Sequence, residues 1–278
     1  MESVLERWER HWRPSKGFQV RTGGFWCCAG FRTIARAPCA LIFRAFQMLA
    51  HRDKERYLAH LAALAERYDE VIEHMKQVIQ TGPQLSVEER NLLSVAYKNK
   101  VGMLRSAFRA SQGVAKTASS DEAQYAEEYL QKAQEEGIRS CEDLIALLED
   151  LLLPNALDPE MKVFFLKNRA DYYRYTAEFR GTDRAAVARA SEVYQEAIDA
   201  VQEHLATTHP IRLGMALSRA VFSYEILNLK PEACNIARKA FDDGLKELDE
   251  IPEEHYKDST QILQMLRDHL TQWTSAVE

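Results

Sequence analysis

Residues 82–99 read GPQLSVEERNLLSVAYKN, a stretch in which a turn is followed at once by the start of a helix. Gly82 and Pro83 interrupt any preceding helix. Ser86 and Glu89 then stand in the pattern of a capping box, in which each side chain accepts a hydrogen bond from the other residue's backbone N–H. This stretch predicts a helix that begins here and runs toward Thr117.

The same alternation of helix and breaker extends along the chain from Asp53, because apolar residues recur at helical spacing between short polar or proline-containing turns. Further breaks are predicted near Arg67, Pro154-Asn155, Asp158-Pro159, Gly181-Thr182-Asp183, Thr208-His209-Pro210, Leu229-Lys230-Pro231 and Pro252. Short connections favour antiparallel packing of neighbouring helices. The sequence therefore predicts an all-α protein of about nine antiparallel helices.

The composition of the chain argues against two classes of function, nucleic-acid binding and membrane spanning. The chain has 278 residues and a net charge of −6, but residues 1–50 carry eight Lys/Arg against three Asp/Glu, so the remainder is strongly acidic. An acidic body argues against nucleic acid as a partner. No apolar stretch approaches the roughly 20 residues that a membrane-spanning helix needs, so no transmembrane helix is predicted.

Residues 1–52 differ from the rest in being rich in Arg, Gly, Cys and aromatic residues. We expect them to form an N-terminal extension of unknown role, and residues 53–278 to form the helical domain. The five cysteines are odd in number and suggest no disulfide framework. Cys141 and Cys234 fit small core residues in a reducing compartment, which predicts a cytoplasmic protein with the nucleus as a second location.

Signatures of catalysis are missing from the sequence: there is no His-Glu-x-x-His, no Cys-x-x-Cys pair and no phosphate-cradling glycine loop. We therefore predict no enzyme activity, no catalytic residue, no metal site and no cofactor.

Cations recur with a spacing that places them on one face of a helix. At 100° per residue, Arg105 and Arg109 each lie within about 20° of Lys98 around the helix, so the three cations share one face. Lys167 and Arg174 repeat the seven-residue spacing, next to Tyr175. If the two helices pack side by side, these cations form a basic patch suited to a dianionic phosphate. The alternative is a solvated face whose cations pair with nearby Glu residues.

Five segments carry a family resemblance: ERNLLSVAYKN at 89–99, KVFFLK at 162–167, DYYRY at 171–175, HPIRLG at 209–214, and YKDST at 256–260 continuing to WTS at 273–275. In sequence and in order they resemble the signatures of 14-3-3 proteins, over roughly Asp53 to Ser275. The resemblance implies a dimeric, concave, groove-bearing helical domain that acts as an adaptor for phosphoserine- or phosphothreonine-containing segments of other proteins. It also implies that the phosphate is held by Lys98, Arg105, Arg174 and Tyr175.

The resemblance further implies an amphipathic groove. Arg109 and Lys167 belong to its basic side, and the opposite wall is formed by Leu217, Val221, Glu225, Met265 and Trp273, although periodicity alone would place the apolar members in the core. Ser218 and His269 stand where the family has peptide-binding asparagines, and Gln272 replaces a groove leucine. Because a serine hydroxyl is shorter than an amide, we expect lower affinity or an altered sequence preference.

The resemblance also implies a two-fold dimer, formed with a second copy or with a related chain. Its interface would contain Leu61 and Ala65, with Arg67 facing Glu136, Glu70 facing Lys132, and Tyr129 packed between them.

Two other interpretations stay open at this stage. The chain could be a degenerate family member that dimerises but binds phosphopeptides poorly because of Ser218, His269 and Gln272. Alternatively, Ala186 to Leu248 has the Ala, Tyr and Leu spacing of tetratricopeptide-like helix pairs, which would make the protein a scaffold indifferent to phosphate.

Overall fold

A computed structural model describes the backbone of residues 36–181 and 183–275, with side chains from residue 47 onward except those of residues 120 and 121. This part of the chain contains nine α-helices and no strand, which confirms the predicted all-α class. The helices are α1 Arg36–Leu64, α2 Tyr68–Thr81, α3 Val87–Ala115, α4 Ser120–Leu147, α5 Pro159–Phe179, α6 Arg184–His204, α7 Pro210–Glu225, α8 Lys230–Lys246 and α9 Glu253–Ser275. None of these helices is long and apolar enough to cross a bilayer.

The chain divides into two units, Met1–Gln47 and Met48–Glu278. Of the first unit, only the helical backbone from Arg36 is described. The predicted boundary after residue 52 lies inside α1, and the separate role of residues 1–52 stays a prediction.

Local signals in the sequence set the helix starts. At α3, the backbone N–H of Glu89 donates to Ser86 Oγ at 3.2 Å and that of Ser86 donates to Glu89 Oε2 at 2.9 Å, so the capping box is present as predicted. At α5, Asp158 Oδ2 accepts from the backbone N–H of Met161 at 3.0 Å, and Pro159 occupies the first helical position, where its missing N–H costs nothing.

The end of α4 was not foreseen in detail. A π-helix over Leu148–Leu152 follows it directly, and the backbone N–H of Leu153 donates to Leu148 O at 2.8 Å. The segment therefore continues to the predicted break at Pro154-Asn155 with a widened last turn.

Arg52 fastens the α2–α3 turn to α1. Its Nη1 donates to the carbonyls of Val78 and Gly82 at 3.0 and 2.8 Å, and its Nη2 donates to Gln84 O at 2.9 Å and to Glu89 Oε2 at 2.7 Å. One guanidinium thus satisfies backbone carbonyls at the end of α2 and the capping carboxylate of α3.

Three hydrophobic clusters follow one another along the array of helices. The first contains residues of α1 through α5, and its largest buried members include Tyr97 and Phe179. The second contains residues of α5, α6 and α7, including Tyr194 and Phe222. The third contains residues of α7, α8 and α9, including Leu266 and Trp273. Helix α7 contributes to both the second and the third clusters, so much of its circumference is engaged.

Candidate functional site

The predicted cations of α3 meet a carboxylate of α5. Glu178 Oε2 accepts from Arg105 Nε at 2.8 Å, and Glu178 Oε1 accepts from Arg109 Nε at 2.7 Å. Helices α3 and α5 are in direct contact, as the hypothesis of a shared basic patch required. Glu178 therefore fixes both arginines on the same side of the α3–α5 pair.

Tyr175 brings the arginines of the two helices together. The guanidinium carbons of Arg105 and Arg174 lie 4.3 and 4.4 Å from the centre of its ring, within the range of cation–π contacts. Three of the four residues predicted to bind phosphate thus form one cluster. The hydroxyl of Tyr175 donates no hydrogen bond to any residue that the structure describes.

Arg174 lies deepest, with 7 % of its side chain exposed, and its Nε donates to the hydroxyl of Tyr194 at 3.2 Å. Burial lowers the pKa of Arg174, but Tyr194, Tyr175 and Asp171 raise it by more, so the guanidinium remains charged. A buried, charged guanidinium with part of its fork uncommitted is suited to an anionic ligand.

Asp171 organises the other end of the cluster. It accepts hydrogen bonds from Lys167 Nζ at 2.7 Å and from the Tyr194 hydroxyl at 2.9 Å, and it lies 3.7 Å from Arg174 Nη2. Burial raises the pKa of Asp171, but the charges of Lys167 and Arg174 and hydrogen bonds from Lys167 and Ser218 lower it overall. The carboxylate is therefore ionised and holds Lys167 toward the cluster.

Lys98 differs from its neighbours, because it is exposed and has no hydrogen bond or ion pair among the described residues. It precedes Arg105 by two helical turns, about 10 Å along the axis of α3. Its ammonium group is free to reach a ligand that lies on the cluster.

The alternative interpretation, a solvated face whose cations pair with acidic residues, agrees with the structure in its pairing but not in its solvation. The arginines do pair with carboxylates. However, only 20 % of the Arg105 side chain, 7 % of that of Arg174 and 11 % of that of Glu178 are exposed, so these three groups are largely desolvated, whereas 54 % of the Arg109 side chain is exposed. Charges in such surroundings interact more strongly with a ligand than exposed charges do.

Helix α7 carries residues predicted to form the opposite wall. Leu217 and Val221 are half-buried against the third hydrophobic cluster, so they combine core packing with a partly exposed edge. Glu225 is exposed and accepts from Arg109 Nη2 at 3.3 Å, which joins α7 to α3 across the site. Beside this contact lies a cavity of about 600 Å³ lined by Phe108, Arg109, Gln112, Glu178, Tyr224 and Glu225.

The residues from α9 are placed at different depths. Met265 is 42 % exposed and Gln272 is exposed, whereas Trp273 is only 4 % exposed and stacks on Tyr224 with ring centres 4.6 Å apart. Trp273 therefore packs beneath the surface of α7 and α9 and contributes little to the exposed surface itself.

His269 has a defined tautomer. Its Nδ1 lies 2.8 Å from Met265 O, and because a carbonyl can only accept, Nδ1 carries the proton. The ring also packs edge-on against Trp273 at 5.1 Å. When the imidazole is neutral, only Nε2 remains for a ligand, and it can accept a hydrogen bond but cannot also donate one as an amide does.

Sequence reasoning missed Asp171, Glu178 and Tyr194. A signal for the first two was present, since Lys167, Asp171, Arg174 and Glu178 lie within about 60° on one face of α5. Tyr194 belongs to α6, and nothing in its local sequence indicates that it contacts Arg174.

The residues predicted to form a dimer lie on α1, α2 and α4 and in the turn between α1 and α2. Leu61 is 43 % and Tyr129 is 60 % exposed, and Ala65, Lys132 and Glu136 are exposed as well. Arg67 forms an ion pair with Glu70 of its own chain. The structure shows a single protomer, so the cross-chain pairing stays a prediction.

No group of three or more His, Cys, Asp or Glu side chains in the described ranges could hold a metal ion. The arginine, lysine and tyrosine side chains of the cluster are of the types that bind anions in proteins.

Comparison with known proteins gives matches over most of the chain. The family profile of the 14-3-3 protein matches residues 58–274. The 14-3-3 protein homolog of Neospora caninum is 48 % identical over 240 residues, which cover 82 % of this chain and 90 % of that protein. The 14-3-3-like protein 1 of Caenorhabditis elegans is 51 % identical over 222 residues, covering 79 % and 90 %. The 14-3-3 protein beta/alpha-B of Xenopus laevis is 49 % identical over 224 residues, covering 79 % and 92 %.

Proposed function

The chain belongs to the 14-3-3 family of phosphopeptide-binding adaptors, which are not enzymes, and we propose that it clamps phosphoserine or phosphothreonine segments of partner proteins between α3, α5 and α7. The observation that supports this site most directly is the placement of Arg105 and Arg174 against the one ring of Tyr175.

In this proposal the phosphate lies on the cluster of α3 and α5. Arg105 and Arg174 supply charge-assisted hydrogen bonds, the hydroxyl of Tyr175 donates another, and Lys98 closes over the dianion from α3. Arg109 and Lys167 raise the positive potential around them, although each is also paired with a carboxylate.

The peptide flanking the phosphoresidue would run along α7 and α9. The partly exposed edges of Leu217 and Val221, together with Met265, offer apolar contacts for its side chains. Ser218, His269 and Gln272 supply the polar contacts. The serine hydroxyl is short and a single imidazole nitrogen cannot both donate and accept, so we expect a lower affinity for the peptide backbone or a different sequence preference.

The experiment is a fluorescence polarisation titration with a labelled Arg-x-x-phosphoSer-x-Pro peptide and its unphosphorylated twin. Arg105→Ala and Arg174→Ala should each weaken binding by at least about tenfold, since each removes a charge-assisted contact. Arg238→Ala is the matched control, because Arg238 is exposed on α8 and has no ion pair among the described residues.

The outcomes separate the competing interpretations. Binding that needs both the phosphate and the arginines supports the adaptor site proposed here. If the folded protein does not bind either peptide, the degenerate interpretation is correct, and equal binding of both peptides would indicate a phosphate-indifferent helical scaffold.

We also propose that two protomers associate through α1, α2 and α4. Tyr57, Leu61 and Leu64 lie within about 60° on α1, and they are 63 %, 43 % and 72 % exposed. Tyr125 and Tyr129, at 72 % and 60 % exposed, form a similar stripe on α4. Such apolar stripes favour burial against a partner.

In the proposed dimer, the pairs of Arg67 with Glu136 and of Glu70 with Lys132 replace the internal pair of Arg67 with Glu70. Exposed ion pairs contribute at most about 1 kcal/mol each, so the apolar stripes supply most of the affinity. The partner is a second copy or a related chain, and the two grooves would then engage two phosphosites with avidity.

Analytical ultracentrifugation tests the dimer. Leu64→Glu should yield a monomer, because a charge would be buried in the interface. Leu157→Glu is the control, since Leu157 is 79 % exposed and lies outside both stripes. An unchanged dimer with Leu64→Glu would show that α1 does not form the interface.

The location of the protein is also a proposal. Cys141 and Cys234 are both unpaired among the described residues, which supports a reducing compartment such as the cytoplasm. We also propose that an N-terminal extension precedes the helical domain. Because the larger unit begins at Met48 and Arg52 is hydrogen-bonded to the α2–α3 turn, the domain in this proposal begins a few residues earlier than residue 53.

A further inference from the structure

Helix α7 borders a second cavity on the side that faces away from the candidate groove. Arg212, Ala216 and Arg219 line this cavity and lie within about 60° of one another on the helix. Leu217 and Val221, which border the groove, lie roughly 150° away around the helix. The cavity is therefore a separate site that shares only its supporting helix with the groove.

Most of the cavity wall is apolar and comes from α6, α7 and α8. Its volume is about 280 Å³, and its apolar lining includes Ile198, Val201, Leu213, Met215, Ile236 and Ala240. At about 30 Å³ per water-sized group, it has room for about nine non-hydrogen atoms. This is space for a small apolar body.

Three cations and one carboxylate also line the cavity. The carboxylate of Asp243 pairs with Lys246 at 3.1 Å. Arg219 lies 3.5 Å from Glu232 and is largely neutralised. The balance of charge at the cavity therefore depends on the remaining two cations.

Arg212 and Lys239 have no carboxylate partner in the described part of the chain. Arg212 is instead oriented by a hydrogen bond from Nη1 to Leu205 O at 2.7 Å, which leaves the rest of its guanidinium for a ligand. Lys239 is exposed on α8, so its ammonium can move over the cavity. Two uncompensated positive charges thus stand beside an apolar cavity in a chain of net charge −6.

We propose that this cavity binds a small amphiphilic carboxylate, whose apolar body fills the space between α6, α7 and α8 while its carboxylate contacts Arg212 and Lys239. Burial of the apolar body supplies the driving force, and charge-assisted hydrogen bonds fix its orientation. A neutral amphiphile lacks the second contribution, and a cationic one is repelled. The ligand and a phosphopeptide occupy different faces of α7 and bind at the same time.

Isothermal titration calorimetry on the full chain tests the proposal with octanoate as the probe, and octan-1-ol and octylammonium as the neutral and cationic analogues. Lys239→Gln removes one of the two charges from a side chain with no partner to lose. Arg238→Gln is its matched control, because it removes one charge from the neighbouring exposed position, which does not line the cavity. Ala216→Leu fills the cavity itself.

Octanoate should bind saturably, and Lys239→Gln should weaken it about fivefold through loss of a partly exposed charge contact. Arg238→Gln should leave its affinity unchanged, and Ala216→Leu should weaken it at least about tenfold through steric exclusion. The ¹³C-methyl resonance of Met215 should shift with octanoate, which locates the probe even if Ala216→Leu is unstable. Saturating phosphopeptide should not displace it.

Several results would overturn the proposal. Octan-1-ol binding as tightly as octanoate would remove the role of the cations, and unchanged octanoate affinity in a folded Ala216→Leu variant would remove the cavity. Displacement by phosphopeptide would place the probe in the groove. Absence of saturable binding, or of a Met215 shift, would equally refute it.

Discussion

Glu178 Oε2 lies 2.8 Å from both Nε and Nη2 of Arg105, so the cation proposed to receive phosphate is already engaged by a carboxylate from the neighbouring helix. The other oxygen of Glu178, Oε1, accepts a hydrogen bond from Arg109 Nε at 2.7 Å. A phosphate arriving at the cluster must share Arg105 with this carboxylate and approach its negative charge.

Replacing Glu178 with glutamine should therefore tighten phosphopeptide binding, because a neutral amide retains the shape but no longer repels the dianion. We expect an increase in affinity of about fivefold at low salt, falling as ionic strength rises. Polarisation titrations at two salt concentrations measure it.

The control for this prediction is Glu142→Gln. Glu142 pairs with Arg180 at 2.8 Å, and its side chain is 53 % exposed, so the same chemical change occurs at an exposed pair that does not include the cluster. Weaker binding by Glu178→Gln would instead mean that the carboxylate is needed to position Arg105.

Ser218→Asn should also tighten binding of the phosphopeptide. The longer amide offers both a donor and an acceptor to the peptide backbone, which the serine hydroxyl cannot do at the same reach. A gain of about tenfold in affinity corresponds to one well-formed additional hydrogen bond. The same polarisation titration detects it.

Ser218→Ala is the comparison for this change. It removes the hydroxyl that helps to keep the pKa of Asp171 low, and it adds no group that can bind peptide. It should not raise the affinity. Equal affinity of the asparagine variant and the parent chain would show that the peptide backbone does not pass Ser218.

His209 gives the stability of the protein a dependence on pH. Its Nδ1 accepts from the backbone N–H of Ile211 at 3.2 Å at the start of α7. Burial is the largest influence that lowers the pKa of His209 from 6.5; the nearby His255, with its ring centre 4.7 Å away, and Arg90 lower it further, while Glu160 raises it. The folded state thus favours the neutral ring.

Because the pKa of His209 is lower in the folded state, its contribution to stability is present above about pH 6.5 and is lost as pH falls through the folded pKa. Urea unfolding at fixed protein concentration should show this loss. His209→Asn, which can still cap the helix and does not titrate, should reduce the slope between about pH 7 and 5. His60→Asn, at an exposed position, should leave the slope unchanged.

Arg52→Ala should lower the free energy of unfolding by about 2 to 3 kcal/mol, since it leaves carbonyls at the α2–α3 turn and the carboxylate of Glu89 without their partner. Only 6 % of the Glu89 side chain is exposed, so water replaces the guanidinium poorly. Urea denaturation measures the change.

Arg56→Ala provides the matched comparison. Arg56 is 48 % exposed and lies 3.5 Å from Asp53, so its removal should change the free energy by less than about 0.5 kcal/mol. A similar loss from both substitutions would mean that the bonds of Arg52 add nothing beyond a surface arginine.

The parts of this architecture that depend on neighbours along the chain were predictable. The capping box of Ser86 and Glu89 and the Asp158-Pro159 start of α5 are local signals, and the structure contains both. The π-helix after Leu147 was not predictable, because nothing in the surrounding leucines distinguishes a wider turn from an α-helical one.

Some features of the arginine cluster at the candidate site were likewise predictable from the sequence, and others were not. Seven-residue spacing indicated which cations share a face of α3 or α5, but the choice of Glu178 as the partner of Arg105 depends on the packing of those two helices. The depth of Trp273 likewise depends on Tyr224, which lies far away in sequence and stacks on it in space.

The hydrogen bonds of Arg52 show that the fold includes residues before the segment that the family profile matches. The family match begins at residue 58, six positions after this arginine. A protein trimmed to the matched segment would keep every proposed phosphate-binding side chain yet lose the guanidinium that secures the α2–α3 turn. Stable folding of this chain therefore depends on a side chain that the segment matched by the family profile leaves out.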